Sequence, residues 1–134
     1  GPLDRGPLGL SLWLDFEVEM GRRVPPSCFS PQPRVHSRLI RLEPFDRLAA
    51  IQSDIDRRLY RQVTSQCFTD RRRKLRNLLK RAPRRLSRIP GWHRERWTGA
   101  MNSLKDHPLM DERPDMLEPE DWVDLCELIL AFES

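Results

Sequence analysis

The sequence predicts a mainly α fold carrying a small antiparallel β element, and three observations predict it. Apolar and polar residues alternate from Leu8 to Met20, and four prolines crowd the nine residues Pro25 to Pro33. From about Phe45 onward apolar residues recur at helical spacing instead. The chain has 134 residues, 38% of them hydrophobic and 33% charged, which is enough apolar side chain for one modest core. No run approaches the roughly 18 uninterrupted apolar residues of a membrane-spanning helix.

The first element follows from the period of two. Leu8, Leu10, Leu12, Leu14, Phe16, Val18 and Met20 alternate with Gly9, Ser11, Trp13, Asp15, Glu17 and Glu19, which argues for a strand with one buried face. Its first half has a second reading, since Leu10, Leu14 and Trp13 also share one helical face. The strand proper is expected near residues 15–23. Pro25, Pro26, Pro31 and Pro33 forbid helix and sheet interior alike, so a stiff extended connection follows. Val35, Leu39 and Ile40 suggest a second strand near 35–41, antiparallel to the first, before a turn at Glu43-Pro44.

The helical region begins next. Ile55, Leu59, Val63 and Cys67 stand four apart and form one core-facing stripe. Thr69 or Asp70 can cap a further helix in which Leu75, Leu78 and Leu79 face inward while arginines fan outward. Pro83 and Pro90-Gly91 punctuate the chain, and Trp92, Trp97, Met101 and Leu104 suggest another helix. Pro119 suits a first helical position with Glu120 and Asp121 in the first turn, ahead of an inward stripe of Trp122, Leu125, Cys126 and Ile129.

Charge divides the chain more sharply than its net of +4 suggests. Residues 1–53 hold 7 Lys/Arg against 6 Asp/Glu; residues 54–90 hold 13 against 3; residues 91–134 hold 4 against 11. The basic third contains Arg71-Arg72-Arg73-Lys74, Arg76, Lys80-Arg81, Arg84-Arg85 and Arg88. Arginine presents a planar donor fork that grips phosphate at two points and stacks on bases. A solvated face is the alternative, but ten excess charges in one segment repel one another unless an anion relieves them. A phosphate-backbone partner is therefore expected.

Other chemistry lacks its residues. The six glycines form no phosphate- or cofactor-binding loop, and His36, His93 and His107 do not combine with Cys28, Cys67 and Cys126 at metal-ligand spacing. No local Ser/His/Asp motif stands out, so no catalytic residue and no metal site are assigned. Three cysteines without a C-x-x-C argue for a reducing compartment and against a disulfide framework.

A family resemblance emerges from four segments taken together. Val24-Pro25-Pro26-Ser27-Cys28-Phe29-Ser30-Pro31-Gln32-Pro33-Arg34-Val35-His36-Ser37, continuing into Leu39-Ile40-Arg41-Leu42, closely resembles a signature of KsgA/Dim-type rRNA adenine dimethyltransferases, V-P-P-S-A-F-x-P-P-P-K-V-D-S. Gly6 to Leu14 is similar to the family's Y-G-R-L-S-V segment. Cys67-Phe68-Thr69-Asp70-Arg71-Arg72-Arg73-Lys74-Leu75-Arg76-Asn77-Leu78-Leu79 resembles its F-x-Q-R-R-K-x-x-R-N-x-L helix. Arg113-Pro114-Asp115-Met116-Leu117-Glu118-Pro119-Glu120-Asp121-Trp122 resembles its R-P-E-x-L-S-x-E-E-F closing helix. The chain departs from the pattern at His36, where the family has Asp, and at Cys28, where it has Ala. The stretch 91–107, with two tryptophans, has no counterpart, which points to a divergent branch, organellar or Erm-like.

The resemblance implies a division of labour. The family's cofactor loop and its catalytic N/D-L-P-Y tetrapeptide belong to a Rossmann-like half, and neither motif occurs in these 134 residues. The chain then looks like a carboxyl-terminal portion: residues 1–44 as the last strands of the methyltransferase sheet, residues 45–134 as a helical RNA-binding domain. The resemblance assigns Phe29 to packing against the target base, the other reading being an ordinary anchor for its loop. It assigns Arg71, Arg72, Arg73, Lys74 and Arg76 to RNA, and the charge run extends the RNA set to Lys80, Arg81, Arg84 and Arg85. S-adenosylmethionine is implied for the parent enzyme and not for this chain. Implied partners are rRNA or the small ribosomal subunit, with no membrane and with self-association through exposed strand edges. The compartment is intracellular: mitochondrial or cytoplasmic, or else the nucleus. The alternative is a non-catalytic relative such as a mitochondrial transcription factor of the B type, and Asn77 after the arginines favours the methyltransferase. The first prediction is that this chain neither binds S-adenosylmethionine appreciably nor methylates RNA. Calorimetric titration checks it, and micromolar cofactor affinity would overturn it.

Overall fold

The computed structural model describes residues 6–24 and 37–132, with side chains for 6–18 and 41–132. The proline-rich connection, including Phe29, and the start of the expected second strand at Val35 and His36 lie outside the described residues.

The chain opens with a helix, α1 (Pro7–Asp15), and not with a strand. The alternating pattern is overruled in its first half because Leu10 and Leu14, one helical turn apart, are both buried against the rest of the core. Pro7 at the first helical position supplies a preset φ, and leucine loses little rotamer freedom in a helix. Leu8, which the strand reading put on the same face, is 74% exposed. The chain straightens at Phe16, and β1 (Phe16–Val24) pairs antiparallel with β2 (Ser37–Pro44). Phe16 stands opposite Pro44 and Val24 opposite Ser37, with an irregularity between Met20 and Arg23. The expected turn at Glu43-Pro44 instead forms the last two positions of β2, opposite Glu17 and Phe16.

Helices follow. The short α2 (Arg47–Ala50) is capped by Asp46, and α3 (Arg57–Cys67) by Asp56. On α3 the expected stripe is buried throughout: Leu59, Val63 and Cys67, with Ile55 just ahead of the helix, joined by Tyr60 and Thr64. Tyr60 reaches α1 by donating its hydroxyl to the Leu10 carbonyl at 3.4 Å. The helix α5 (Arg94–Ser103) begins after Trp92 rather than including it. The last helix, α6 (Pro119–Ala131), starts at Pro119 as expected and buries Trp122, Leu125, Cys126 and Ile129 with Val123 between them.

One apolar cluster unites these elements. Leu10 and Leu14 of α1, the stripe of α3, Trp97 of α5 and Trp122 of α6 belong to it. Cys67 and Cys126 are free thiols inside it, and burial pushes both well above the ordinary thiol range. No described helix is long and apolar enough to cross a membrane.

Arginine also fastens the joint between helix and hairpin. Arg47 donates Nε to the Trp13 carbonyl at 2.6 Å and Nη2 to the Phe16 carbonyl at 3.2 Å. Its guanidinium lies 4.7 Å from the Trp13 ring centre and 5.1 Å from that of Phe45. Arg57 links Asp15 at 2.9 Å to Asp46 at 2.7 Å. The start of the chain is therefore tied to α2 and α3 by charge as well as by leucine.

The cap of α3 gives the second prediction. Asp56 accepts the Arg58 N–H at 2.7 Å and meets its guanidinium at 2.8 Å, and the Arg58 side chain foremost holds its carboxyl below the ordinary value. A carboxyl lowered in the folded state stabilises fully above its unfolded value of about 3.9 and loses that contribution as pH falls through the folded one. Asp56→Ala is expected to cost about 1 kcal/mol at neutral pH. The gap to wild type should narrow below about pH 4, as urea unfolding at pH 7 and pH 3 will report.

Candidate nucleic-acid interface

The arginine-rich segment is not the continuous helix that its leucines suggest. Only α4 (Leu75–Leu78) is helical, flanked by turns and bends from Phe68 to Lys74 and from Leu79 to Arg85. Three causes act together. Asp70 closes a local turn by accepting the Arg72 N–H at 3.0 Å, which competes with helix initiation. A helix here would stack Arg72 on Arg76 and Arg76 on Lys80, like charges four apart. Pro83 ends any continuation. The Leu75 N–H, freed from a local helix, goes to the Glu112 carbonyl at 2.9 Å.

Burial still follows the expected pattern. Leu75, Leu78 and Leu79 face the core, and the arginines face out. Arg71, Arg72, Arg73, Lys74, Lys80, Arg81, Arg84 and Arg85 are all exposed. Arg71 lies 5.0 Å from the Phe68 ring centre, and Phe68 in turn stacks obliquely on the buried Trp122 at 5.6 Å. Arg76 differs from its neighbours. It is half-buried, pairs with Asp111 at 2.8 Å and donates to the Lys105 carbonyl at 3.1 Å, while Lys74 is 3.9 Å from the same carboxylate. Arg76 thus holds the 3₁₀ turn Pro108–Asp111 in place. Among the described ion pairs none involves Arg71, Arg72, Arg73, Lys80, Arg81, Arg84, Arg85 or Arg88.

An irregular segment leaves carbonyls that need donors, and α3 supplies them. Arg58, Gln62 and Gln66, four apart on the stripe beside the apolar one, reach across in sequence. Arg58 donates to the Arg88 carbonyl at 3.2 Å, and Gln62 to that of Arg85 at 3.0 Å. Gln66 donates to both Leu78 at 2.9 Å and Arg81 at 2.7 Å. From the far side the buried Trp97 indole donates to the Leu79 carbonyl at 2.9 Å. The segment is strapped down by its backbone, which leaves its guanidinium groups projecting. Sequence reasoning missed Gln62 and Gln66; their spacing with Arg58 was the available signal. It also missed Asp111, whose claim on Arg76 is purely tertiary.

Between this segment and α3 lies an open cleft of about 620 Å³ lined by Gln62, Ser65, Gln66, Thr69, Pro83, Arg84, Arg85 and Arg88. Among the described residues no carboxylate lines it. A second hollow of about 500 Å³ has the opposite character, with Asp121, Asp124 and Glu127 beside His107. Burial raises the Asp124 carboxyl above its ordinary value, and Glu127, Asp121 and Glu120 add to the effect. Among the described residues no group of three His, Cys, Asp or Glu is placed to hold a metal ion.

Three comparisons bear on this geometry. The family model of ribosomal RNA adenine dimethylases matches residues 1–88. The chain is similar to ribosomal RNA small subunit methyltransferase A of Prochlorococcus marinus, 32% identical over 79% of the chain and 33% of that protein. It is likewise similar to the methyltransferase A of Rubrobacter xylanophilus, 31% identical over 96% of the chain and 43% of that protein. A dimethyladenosine transferase from Plasmodium falciparum shares the fold at a TM-score of 0.63 and 19% identity, over 90% of the chain and 46% of that structure. The chain therefore spans less than half the length of these relatives.

The strap gives the third prediction. Gln66→Met keeps volume but removes two donors, so two carbonyls exchange a protein partner for water. Stability should fall by about 1 kcal/mol. Amide exchange should accelerate in residues 79–86 while the α3 amides keep their protection. Uniform acceleration along the chain would instead mean that the strap is not a local element.

Proposed function

The chain belongs to the ribosomal RNA adenine dimethylase family, and we propose that it is the part of such an enzyme that grips rRNA by its backbone. The reading rests above all on one observation: eight arginines and lysines from Arg71 to Arg88 are exposed and free of carboxylate partners in the described ion pairs, and the carbonyls of Arg81, Arg85 and Arg88 among them are held by α3. Cations held out in this way are placed for phosphate. Arg71, Arg72, Arg73, Lys80, Arg81, Arg84 and Arg85 carry the contact. Lys74 contributes from the edge, and Arg76 acts by fixing the surface through Asp111. Phe29 is assigned to the target base by its place in the proline-rich motif alone.

In this reading the hairpin of β1 and β2 is the edge of a Rossmann-like sheet, and residues 45–134 form the helical RNA-binding domain attached to it. The whole protein acts on the small-subunit rRNA during ribosome maturation, in the cytoplasm or the mitochondrion. The methyl donor implied by the family is S-adenosylmethionine, a cation at its sulfonium. The cleft beside the RNA surface does not fit it, because its wall of Arg84, Arg85 and Arg88 repels that charge. Methyl transfer is accordingly assigned to the portion of the longer relatives that this chain does not span.

The fourth prediction tests the grip. Neutralising about four phosphates gives a log–log slope of affinity against salt of roughly −3 to −4. Arg72→Ala with Arg73→Ala should flatten that slope by about one unit per lost contact and weaken every RNA alike, since backbone contacts position without specifying. Unfolding should hardly change, because Leu75, Leu78 and Leu79 remain inward. Filter binding at several salt concentrations separates this from a solvated face, which predicts no change in affinity or slope.

A further inference from the structure

We propose that the cleft between α3 and the strapped segment is a seat for one nucleotide of single-stranded RNA, with its phosphodiester held by Arg84, Arg85 and Arg88. The proposal rests on the RNA-binding reading and deepens it, by moving the most specific contact from the exposed ridge at Arg71–Arg73 into a concave site. Four observations carry it. Among the described residues the lining holds three arginines and no acid, so its charge is uncompensated by them. About 620 Å³ lies within the roughly 300–1,000 Å³ range of small-ligand sites. The walls are fixed, because Gln62 and Gln66 bind the carbonyls of Arg85, Leu78 and Arg81 at 2.7–3.0 Å. Ser65 and Thr69 line the same wall, the Thr69 hydroxyl donating to the Gln66 carbonyl at 2.7 Å, and the buried Oε1 of Gln62 accepts no hydrogen bond from the described residues.

A single strand suits this shape better than a duplex. An unpaired nucleotide can splay from its neighbours and enter a concavity, offering a phosphate, a 2′-hydroxyl and a base edge together. A duplex presents regularly spaced phosphates on a convex surface, which an exposed ridge meets equally well. Arginine beside hydroxyls and amides therefore assigns the cleft to a nucleotide, and the ridge to the flanking backbone.

The test uses three cleft variants of the whole chain, beside the Arg72→Ala/Arg73→Ala variant, with a single-stranded RNA oligonucleotide, read by fluorescence anisotropy at several salt concentrations. Ser65→Glu places a carboxylate on the cleft wall at an exposed α3 position, and should weaken binding about tenfold or more. Ser65→Gln, similar in bulk and uncharged, should stay within about threefold of wild type. Arg85→Ala with Arg88→Ala should flatten the salt slope by roughly 1.4 to 1.8 units, at 0.7–0.9 per contact. Melting by circular dichroism checks that each variant folds, and side-chain amide resonances of Gln62 and Gln66 should shift on RNA addition in the wild type. Wild-type affinity in both Ser65→Glu and the arginine pair, with the Arg72/Arg73 double variant weakened, overturns the cleft and leaves the RNA reading standing. Wild-type affinity in all of them overturns both. Equal loss in Ser65→Gln and Ser65→Glu would show that bulk rather than charge matters, and the phosphate assignment would fall. Equal competition by a duplex RNA or by single-stranded DNA would overturn the assignment to single-stranded RNA.

Discussion

Backbone hydrogen bonding in a segment that cannot be regular is the constraint on which the rest of this structure depends. Residues 78–88 carry like charges and are interrupted by Pro83, so neither a long helix nor a strand satisfies their carbonyls. Gln62, Gln66, Arg58 and Trp97 supply the missing donors. Three of these come from one helix face at four-residue spacing, and Trp97 is buried in the core. The consequence is a division within each residue of the segment. The main chain is used for attachment, which leaves the arginine side chains without intramolecular duties.

That division explains how so much positive charge can be held in one place. A helix would project the same arginines around its circumference, and their repulsion would oppose its formation. Turns held from outside spread them over a ridge and one wall of a cleft instead. The acidic last third of the chain does not neutralise this ridge broadly. Asp111 takes Arg76 and Lys74, whereas Glu120 and Asp121 lie in the first turn of α6, where the helix dipole favours them. Charge segregation in the sequence thus persists as charge segregation in space along the basic ridge.

Arginine has three separate roles here, and only partners tell them apart. Arg47 is locked between Trp13 and Phe45 with its donors on backbone carbonyls, and so fastens the hairpin to the helices. Arg96 lies 3.9 Å from the Trp92 ring centre and donates to the carbonyls of Leu130 and Phe132, closing the end of α6. Among the described residues Arg72, Arg73, Arg84 and Arg85 find no such partners, and they form the proposed contact surface. Counting arginines in a sequence cannot make this distinction. Arg76, which lies inside the basic motif, belongs with the first kind.

What the sequence determined by itself was the burial pattern and the charge. Ile55, Leu59, Val63 and Cys67, the leucines at 75, 78 and 79, and the stripe of α6 are buried as their spacing dictates, since a period of 3.6 leaves one face for the core. The antiparallel hairpin and the start of α6 at Pro119 were legible for the same local reasons. Tertiary structure decided what local pattern left degenerate. Leu8 to Leu14 satisfies a strand and a helix alike, and only burial of Leu10 and Leu14 beside α3 selects the helix. The arginine segment has inward leucines at helical spacing, yet carbonyl donors from α3 and the pull of Glu112 on Leu75 replace most of that helix with turns. The cleft was invisible for a related reason: its two walls are separated in sequence, and hydrogen bonds to main-chain atoms leave no mark on the identity of the residues they hold.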